Sequence, residues 1–293
     1  MEARPRTLKN VFRPDVRLEV PLFQRRYVWT AEQQWEPLWE DVLALHYHTQ
    51  LVQAAALEDG AAWAEAEGDA AAASRYRTVA DGLRRNLDDL WCPERGIYRT
   101  FAGPGSLGDG KQPDIAVILA VIQAQRGEGR HSVLDERVQS TLLRLEALFA
   151  SAYGINRNRP AGLGIAMGRY AEDTYVSGGA YYFSTLAAAE FYYRLAAALP
   201  AAGIGDPGRA ENRVLAELLQ GAGADLRDPR SFVPALAAKG DTFVAMVRRY
   251  TPPTGELSEQ FDRETGTQSS AKDLAWSYAA LISAIHARGA VSG

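Results

Sequence analysis

Amphipathic helical segments follow one another along most of the chain, and this pattern constrains the fold more than any single motif does. Beyond Thr49, apolar residues recur at helical spacing, and short breaks with glycine or proline recur after roughly 20 to 35 residues. Helices joined by short connections pack as hairpins, because each must bury its apolar stripe against a neighbour. The sequence therefore predicts an all-α protein with seven or eight helices arranged in hairpins.

The breaks also place the ends of the helices. Pro200 is predicted to end a strong apolar helix, and Ser270 with Asp273 has the spacing of a capping box at the start of the last helix. A further short helix is predicted from Ala31. The main predicted ranges are 49–67, 70–90, 114–125, 134–150, 183–199, 209–219, 231–249 and 271–288.

Composition narrows the class of protein. The 293 residues are 47% apolar, which suffices for one large domain or two ordinary ones. With 32 basic and 36 acidic residues and no long block of one sign, we expect no nucleic-acid partner. The single cysteine, Cys92, leaves no internal disulfide, and no apolar run has the length of a signal peptide or a membrane span. We therefore predict a cytoplasmic protein without a membrane partner that binds neutral or polar small molecules.

The stretch from Thr254 to Tyr278 concentrates the residue types that a sugar-cleaving site requires. Glu259 lies beside Gln260 on a short extended segment, a loop rich in Gly, Thr and Ser follows, and Trp276 lies in the helix beyond it. Amides and hydroxyls can bind sugar hydroxyls, an aromatic face can pack on the ring, and a carboxylate can act as acid or base. The same residue types also fit a solvated loop.

The segment SEQFDRETGTQSSAKDLAWSYAAL resembles the final motif of glycoside hydrolase family 15, the glucoamylases. In that family the glutamate of the S-E-Q-F/Y-D/S motif is the general base. The resemblance implies that Glu259 has this role here.

A second segment, MGRYAEDTYVSGGAYYFSTLAAAE, resembles the glucoamylase run G-R-Y-x-E-D-x-Y followed by an Asn-Pro-Trp turn and T-L-A-A-A-E. Gly179, Ala180 and Tyr181 replace the Asn-Pro-Trp turn, so we expect weaker contact with the substrate. From the residues alone, the segment could equally be an ion-paired loop. Together with the final motif, the resemblance implies these substrate-binding residues: Arg169, Tyr170, Glu172, Asp173, Tyr175, Tyr181 and Trp276.

A third resemblance to glucoamylases begins near residue 38, where LWEDV matches L-W-E-E-V. It implies that Glu40 is the general acid and that Asp41 helps to hold the sugar. Without the family, the two carboxylates could be an exposed acidic pair. His46 and His48 are spaced to point to different sides of a helix, so we predict no metal and no cofactor.

Residues 1–45 have a different character. The run VPLFQRRYVW followed by WEPLWEDV resembles the opening of a ParB-like family of restriction proteins, but the Asp-Gly-Gln-Gln-Arg segment of that family is missing. Nuclease activity is therefore not expected, and the arginines and aromatics here could be a surface packing patch. We predict a ParB-like fragment at 1–45 and a glucoamylase-like domain at 46–293.

The resemblance implies an incomplete (α/α)6 barrel, because the family's barrel has twelve helices and its first half has no counterpart here. An open barrel leaves apolar helix faces uncovered, so we expect a homo-oligomer. The implied function is an inverting hydrolase acting on α-glucans or oligosaccharides, weak or inactive because of the missing half. The alternatives are a non-catalytic carbohydrate-binding or protein-interaction domain and, disfavoured by the charge balance, a nucleic-acid restriction component.

Overall fold

A computed structural model describes residues 45–102, 111–202, 213–219, 222, 224, 225 and 227–291. These residues belong to one compact unit that begins at Leu43. The helix predicted from Ala31, the two carboxylates Glu40 and Asp41, and nearly all of the ParB-like segment lie outside the described residues.

Helices dominate the described residues, which confirms the all-α prediction. Most of them begin and end within four residues of the predicted positions. In chain order they are α1 Tyr47–Ala66, α2 Ala70–Asp88, α3 Ala116–Ala124, α4 Glu136–Ala152, α5 Gly154–Arg157, α6 Tyr182–Ala202, α7 Arg213–Leu218, α8 Pro229–Arg249 and α9 Ala275–Ala290.

The helices pack only partly as the hairpin pattern predicts, because the main neighbours of α3 and α6 are not consecutive with them in the chain. Helix α1 lies against α2 and α3, α3 lies against α6, and α6 lies against both α8 and α9. The sequence of α6 is apolar on every side, and nearly all its residues from Tyr182 to Leu199 are buried. None of the described helices combines the length and the apolar character needed to cross a membrane. Helix α6 is thus the centre of the core.

Short antiparallel strands tie the helix connections together. Strand β1 (Leu45–His46) pairs with β4 (Phe101–Ala102), and β2 (Trp91–Cys92) pairs with β3 (Ile97–Tyr98). A three-stranded sheet joins the segments that precede α6 and α9. Its strands, in spatial order, are β5 Ala180–Tyr181, β6 Gln260–Phe261 and β7 Gln268–Ser269.

The predicted start of the last helix is wrong. Helix α9 begins at Ala275 with no side-chain cap, and Ser270 adopts a left-handed φ of 66° instead of capping it. The hydroxyl of Ser270 donates to the carboxylate of Glu259, while Asp273 accepts from the hydroxyl of Tyr278 at 2.8 Å. Neither of the two polar side chains that resembled a capping box caps the helix.

Two smaller predictions are also wrong. Pro200 lies inside the last turn of α6, which continues to Ala202. A proline so near the helix end removes only one of the final hydrogen bonds, so the helix continues. His46 belongs to strand β1, where it pairs with Phe101, and only His48 lies on the helix.

Asn156 fixes the segment that leads from α5 toward α6. Its side-chain amide, which is 1% exposed, donates to the carbonyls of Phe149 and Ala166 at 2.9 and 3.0 Å and accepts from the Ala166 N–H at 2.9 Å. Ala166 lies three positions before Arg169. The buried amide thus fixes the backbone position of Ala166, from which the chain continues to Arg169.

We predict that Asn156→Ala lowers the free energy of unfolding by about 3 kcal/mol, because the buried carbonyl and N–H of Ala166 lose their side-chain partner and the carbonyl of Phe149 keeps only the N–H of Tyr153. Urea denaturation followed by circular dichroism measures the change. The matched control is Asn158→Ala, an exposed asparagine two positions on, which we expect to change stability by less than about 0.5 kcal/mol. Equal losses in the two variants would contradict the role of Asn156.

Candidate functional site

Arg169 is the centre of the candidate site. Its Nε and Nη2 donate to the two carboxylate oxygens of Asp173 at 2.6 and 2.7 Å, a two-pronged pair that fixes the plane of the guanidinium. The Asp173 side chain is 1% exposed, whereas that of Arg169 is 34% exposed. The pair therefore has a buried acidic end and a cationic end that faces outward.

The backbone around Arg169 is held from both sides. The carbonyl of Arg169 accepts from the N–H of Ile115 at 2.9 Å, at the start of α3, and the N–H of Tyr181 donates to the carbonyl of Met167 at 2.9 Å. These bonds bring together the connections that precede α3 and α6. The guanidinium thus lies on a rigid segment.

Three tyrosine rings surround the guanidinium. The carbon Cζ of Arg169 lies 5.5 Å from the ring centres of Tyr170 and Tyr175 and 5.0 Å from that of Tyr181. Each ring face stabilises the positive charge. No hydrogen bond joins Nη1 to any of the described residues, so its N–H groups are available to a ligand hydroxyl.

The charges of the pair shift the pKa of Asp173. Burial tends to raise the pKa of this carboxyl, but the bonds from Arg169 and from the N–H of Tyr175 outweigh burial and leave the pKa below its ordinary value. The carboxylate is therefore ionised across the neutral and mildly acidic range. It compensates the charge of Arg169 throughout that range.

Glu259 lies immediately before strand β6, next to this cluster. Its N–H donates to the carbonyl of Ala271 at 2.7 Å, and its carboxylate accepts from the hydroxyl of Ser270. Tyr181 pairs with Gln260 in the sheet, and burial, together with the charge of Glu259, raises the pKa of the Tyr181 hydroxyl. Glu259 is half-buried, and both its carboxylate and the guanidinium of Arg169 lie near Tyr181.

The sheet beside Glu259 contains buried polar atoms without partners. They include Oε1 of Gln260, Oγ of Ser269 and Oγ of Ser177. Buried polar atoms in native proteins are nearly always bonded to protein or to water, so these atoms can accept or donate hydrogen bonds to water or to hydroxyls of a ligand. The site is thus suited to a hydroxyl-rich ligand.

Close packing of the backbone at Gly179 explains why the turn before α6 has a glycine at this position. A Cβ atom at this position would lie 2.7 Å from the carbonyl oxygen of Phe261 and 3.1 Å from Oε1 of Gln260. No larger residue fits without a shift of the sheet. Tyr181, which replaces the tryptophan of the turn, is 1% exposed and lies against Arg169, so its ring supports the guanidinium and offers no open face.

The remaining predicted substrate-binding residues differ in their exposure and in their contacts. Trp276 stacks on Phe183 with ring centres 4.0 Å apart and is 48% exposed, so its second face is open. Tyr175 is 50% exposed beside Arg169. Glu172 is exposed and makes no hydrogen bond or ion pair to a described residue. The structure thus brings Arg169, Tyr170, Asp173, Tyr175 and Tyr181 together beside Glu259, and leaves Glu172 outside the cluster.

Sequence reasoning missed two roles at this site. Ser270 holds the carboxylate of Glu259, although its sequence context suggested a helix cap. Asp114 accepts from the Ala116 N–H at 2.8 Å, and burial and the charges of Arg169 and Asp173 act on its pKa. Arg169 is 55 positions from Asp114, and Ser270 reaches Glu259 through the pairing of two very short strands, so local pattern gives no signal for these roles.

Comparison with known proteins identifies the family of the chain. The family model "Glycosyl hydrolases family 15" matches residues 26–286. The chain is 33% identical over 270 residues to a glucoamylase of Blastobotrys adeninivorans, covering 86% of this chain and 43% of the relative. It is 25% identical over 287 residues to an intracellular, sporulation-specific glucoamylase of Saccharomyces cerevisiae, covering 86% of this chain and 51% of that protein.

A solved structure, the family 15 glucoamylase from Hypocrea jecorina, superposes with a TM-score of 0.73 at 30% identity. The match covers 84% of this chain and 42% of that one. The shared fold is the (α/α)6 barrel, so the prediction of an incomplete barrel is confirmed. The chain spans about half the length of the relatives that it matches, or somewhat less.

We predict that Arg169→Gln lowers the free energy of unfolding at pH 7 by about 2 kcal/mol, because it leaves the buried carboxylate of Asp173 without a charged partner. The pair stabilises the fold above the ordinary pKa of an aspartate and loses this effect as pH falls through the lowered pKa of Asp173. The loss in the variant should therefore shrink in strong acid. Chemical denaturation between pH 3 and 8 measures it.

The control for this prediction is Arg157→Gln, which removes an exposed ion pair with Glu264 at 3.3 Å. Exposed pairs contribute about 0 to 1 kcal/mol, so this variant should remain near the wild type at every pH. An Arg169→Gln variant as stable as this control would contradict the role assigned to the buried pair.

Proposed function

Because the chain belongs to glycosyl hydrolases family 15, we propose that it is an inverting glycosidase that releases glucose from α-linked glucans or oligosaccharides. The observation that carries the proposal is the half-buried carboxylate of Glu259, fixed by Ser270 beside the Arg169 cluster. The matched relatives named above are glucoamylases, which supports the substrate class.

The proposed mechanism requires one base and one acid. Glu259 takes a proton from a water molecule as that water attacks the anomeric carbon, and the acid gives a proton to the leaving glycosidic oxygen. The hydroxyl of Ser270 binds the Glu259 carboxylate at Oε2, which leaves Oε1 available to the water. Glu40 is proposed as the acid, with Asp41 beside it, on the resemblance of its motif.

The other residues are proposed to hold the sugar. The Nη1 of Arg169 donates to a sugar hydroxyl, and the exposed faces of Tyr175 and Trp276 pack against rings. Asp173 and Tyr181 fix the guanidinium of Arg169, Asp173 through its hydrogen bonds and Tyr181 through its ring. Tyr170 and Glu172 are assigned to the rim of the site, where Tyr170 lies under Arg169 and Glu172 is open to solvent.

Compartment and assembly are further parts of the proposal. We propose that the protein is cytoplasmic, and one relative, which is described as intracellular, supports this compartment.

We also propose that a second copy of the chain covers the outer face of α9. Ile282 and Ile285 on that face are 68% and 58% exposed, an unusual exposure for two large apolar side chains on one helix.

We predict that Glu259→Gln abolishes hydrolysis of maltose and maltotriose, a loss of at least about 100-fold, because an amide cannot take the proton from the water. Glucose release measures the loss, and circular dichroism shows that the fold is kept. The same substitution at Glu264, an exposed residue on the same loop, is the matched control and should leave hydrolysis unchanged. Undiminished hydrolysis by the Glu259→Gln variant would contradict the proposed mechanism.

A sugar-binding domain without turnover is the second candidate function, favoured by the fact that the chain spans only 43% of the Blastobotrys relative. Calorimetry with maltotriose separates the two candidates. Binding with hydrolysis supports the glycosidase, and binding without hydrolysis supports the second candidate. Neither binding nor hydrolysis would contradict both.

We predict that the wild-type chain sediments as a dimer and that the double variant Ile282→Glu, Ile285→Glu sediments as a monomer, because buried charges would oppose the contact. Analytical ultracentrifugation measures the state. Val79→Glu on α2, where the side chain is 53% exposed, is the control and should leave the dimer intact. A monomeric wild type would refute the assembly.

A further inference from the structure

The side-chain amide of Gln268, on strand β7, has a hydrogen-bond partner for each of its donors and for its acceptor. Nε2 donates to the hydroxyl oxygen of Tyr182 at 2.8 Å and to the carbonyl of Glu256 at 2.7 Å, and Oε1 accepts from the hydroxyl of Ser258 at 3.1 Å. With the nitrogen and oxygen exchanged, the amide oxygen would face the Glu256 carbonyl with no hydrogen between them. The partners therefore hold this side chain in one orientation.

These partners connect the segment before Glu259 to the helix core. Tyr182 is the first residue of α6, and its hydroxyl donates to the carbonyl of Tyr250 at 2.5 Å, at the end of α8. Ser258 is 3% exposed, and its carbonyl accepts from the hydroxyl of Ser277, on α9, at 2.8 Å. The amide of β7 thus lies in one hydrogen-bonded network with α6, α8 and α9.

Glu259 lies between two fixed residues. Ser258 precedes it and is bonded to Gln268, and Gln260 follows it and pairs with Ser269 in the sheet. Strands β6 and β7 are only two residues long. A slip of one residue in so short a ladder would break few backbone bonds, but it would turn the side chains of the strand to the other face. The register at Glu259 therefore needs support from outside the ladder.

The same strand leads to the hydroxyl that holds Glu259. Ser270, whose hydroxyl donates to the Glu259 carboxylate, follows Gln268 by two positions. The bonds from Gln268 to Ser258 and to Glu256 join this strand to the segment that leads to Glu259. They consequently fix the carboxylate and the hydroxyl relative to each other.

We propose that Gln268 is a positioning residue for the base. Its hydrogen bonds hold β7 in register with the Glu259 segment, so that Ser270 binds one carboxylate oxygen and the other is directed at the attacking water. The inference rests on the proposed glycosidase function and adds to it the group that supports the base. Gln268 itself takes no part in the proton transfer.

The proposal predicts a loss in kcat and not in KM. The substitution Gln268→Met keeps the length of the side chain and removes its hydrogen bonds. Hydrolysis of maltotriose should then have a kcat about tenfold lower, because a small displacement of a catalytic group slows the reaction steeply. The KM should stay within about twofold of the wild type, since the Arg169 cluster that holds the sugar is untouched.

The matched control is Gln139→Met on α4. This glutamine is 4% exposed, and its Nε2 donates to the carbonyl of Val133 at 3.0 Å, so the variant also loses the hydrogen bond of a buried amide. Its Tm should fall while its kcat stays at the wild-type value. A loss of kcat in the control equal to that in Gln268→Met would overturn the positioning role.

A double-mutant cycle tests the link through Ser258. Ser258→Ala removes one of the bonds to Gln268 and should lower kcat about threefold by itself. Added to Gln268→Met, it should lower kcat no further, because the bond between the two residues is already absent. Effects of the two substitutions that multiply in full would overturn the proposed link.

Calorimetry separates positioning of the base from support of the fold. In the Glu259→Gln background, where maltotriose is not consumed, adding Gln268→Met should leave both the Kd and the number of binding sites per chain unchanged. Fewer sites, or weaker binding in proportion to the loss of kcat, would show that Gln268 only supports the fold and would overturn the positioning role.

The remaining outcomes distinguish the two proposals. A wild-type kcat in folded Gln268→Met, with hydrolysis that Glu259→Gln abolishes, would overturn the role of Gln268 alone. A wild-type protein that does not hydrolyse maltotriose would overturn the glycosidase function and the role of Gln268 with it.

Discussion

The two-pronged bond between Arg169 and the buried carboxylate of Asp173 is the interaction on which the rest of the site depends. An arginine can present a free N–H group to a ligand only if its other nitrogens are fixed, because the long side chain otherwise has many conformations. Burial of Asp173 makes the bond strong, and partial exposure of Arg169 leaves one nitrogen open. The surrounding tyrosines then stabilise the charge without competing for its hydrogen bonds.

The helices supply rigidity, and the connections supply chemistry. Arg169 and Asp114 lie on the connections before α6 and α3, and Glu259 lies on the one before α9. These connections meet because α3, α6 and α9 pack side by side and because strands β5 and β6 join two of the connections directly. These polar connections lie at the ends of the helices, so they do not interrupt the apolar core between them.

Several features of the site lower stability locally. Ser270 and Asp273 have left-handed backbone angles of 66° and 50°, which cost roughly 1 kcal/mol or more in a residue other than glycine. Gln260 and Ser269 contain buried oxygens without partners, and Asp114 is a carboxyl that burial disfavours. Such features are common where a structure serves binding or chemistry and not stability alone.

The sequence by itself determined the helical class, the approximate helix limits and the family, because helical periodicity and long motifs are local properties of the chain. It also led to the proposal that Glu259 and the segment around Arg169 belong to the site. It could not determine that Ser270 holds Glu259 and does not cap α9, because this contact follows from the pairing of β6 with β7, strands of only two residues. Nor could it determine that Tyr181 is buried against Arg169 or that the connections bearing Arg169 and Glu259 meet. These facts depend on contacts between distant parts of the chain, which only the packing of α6 and α9 and the pairing of β5 with β6 bring together.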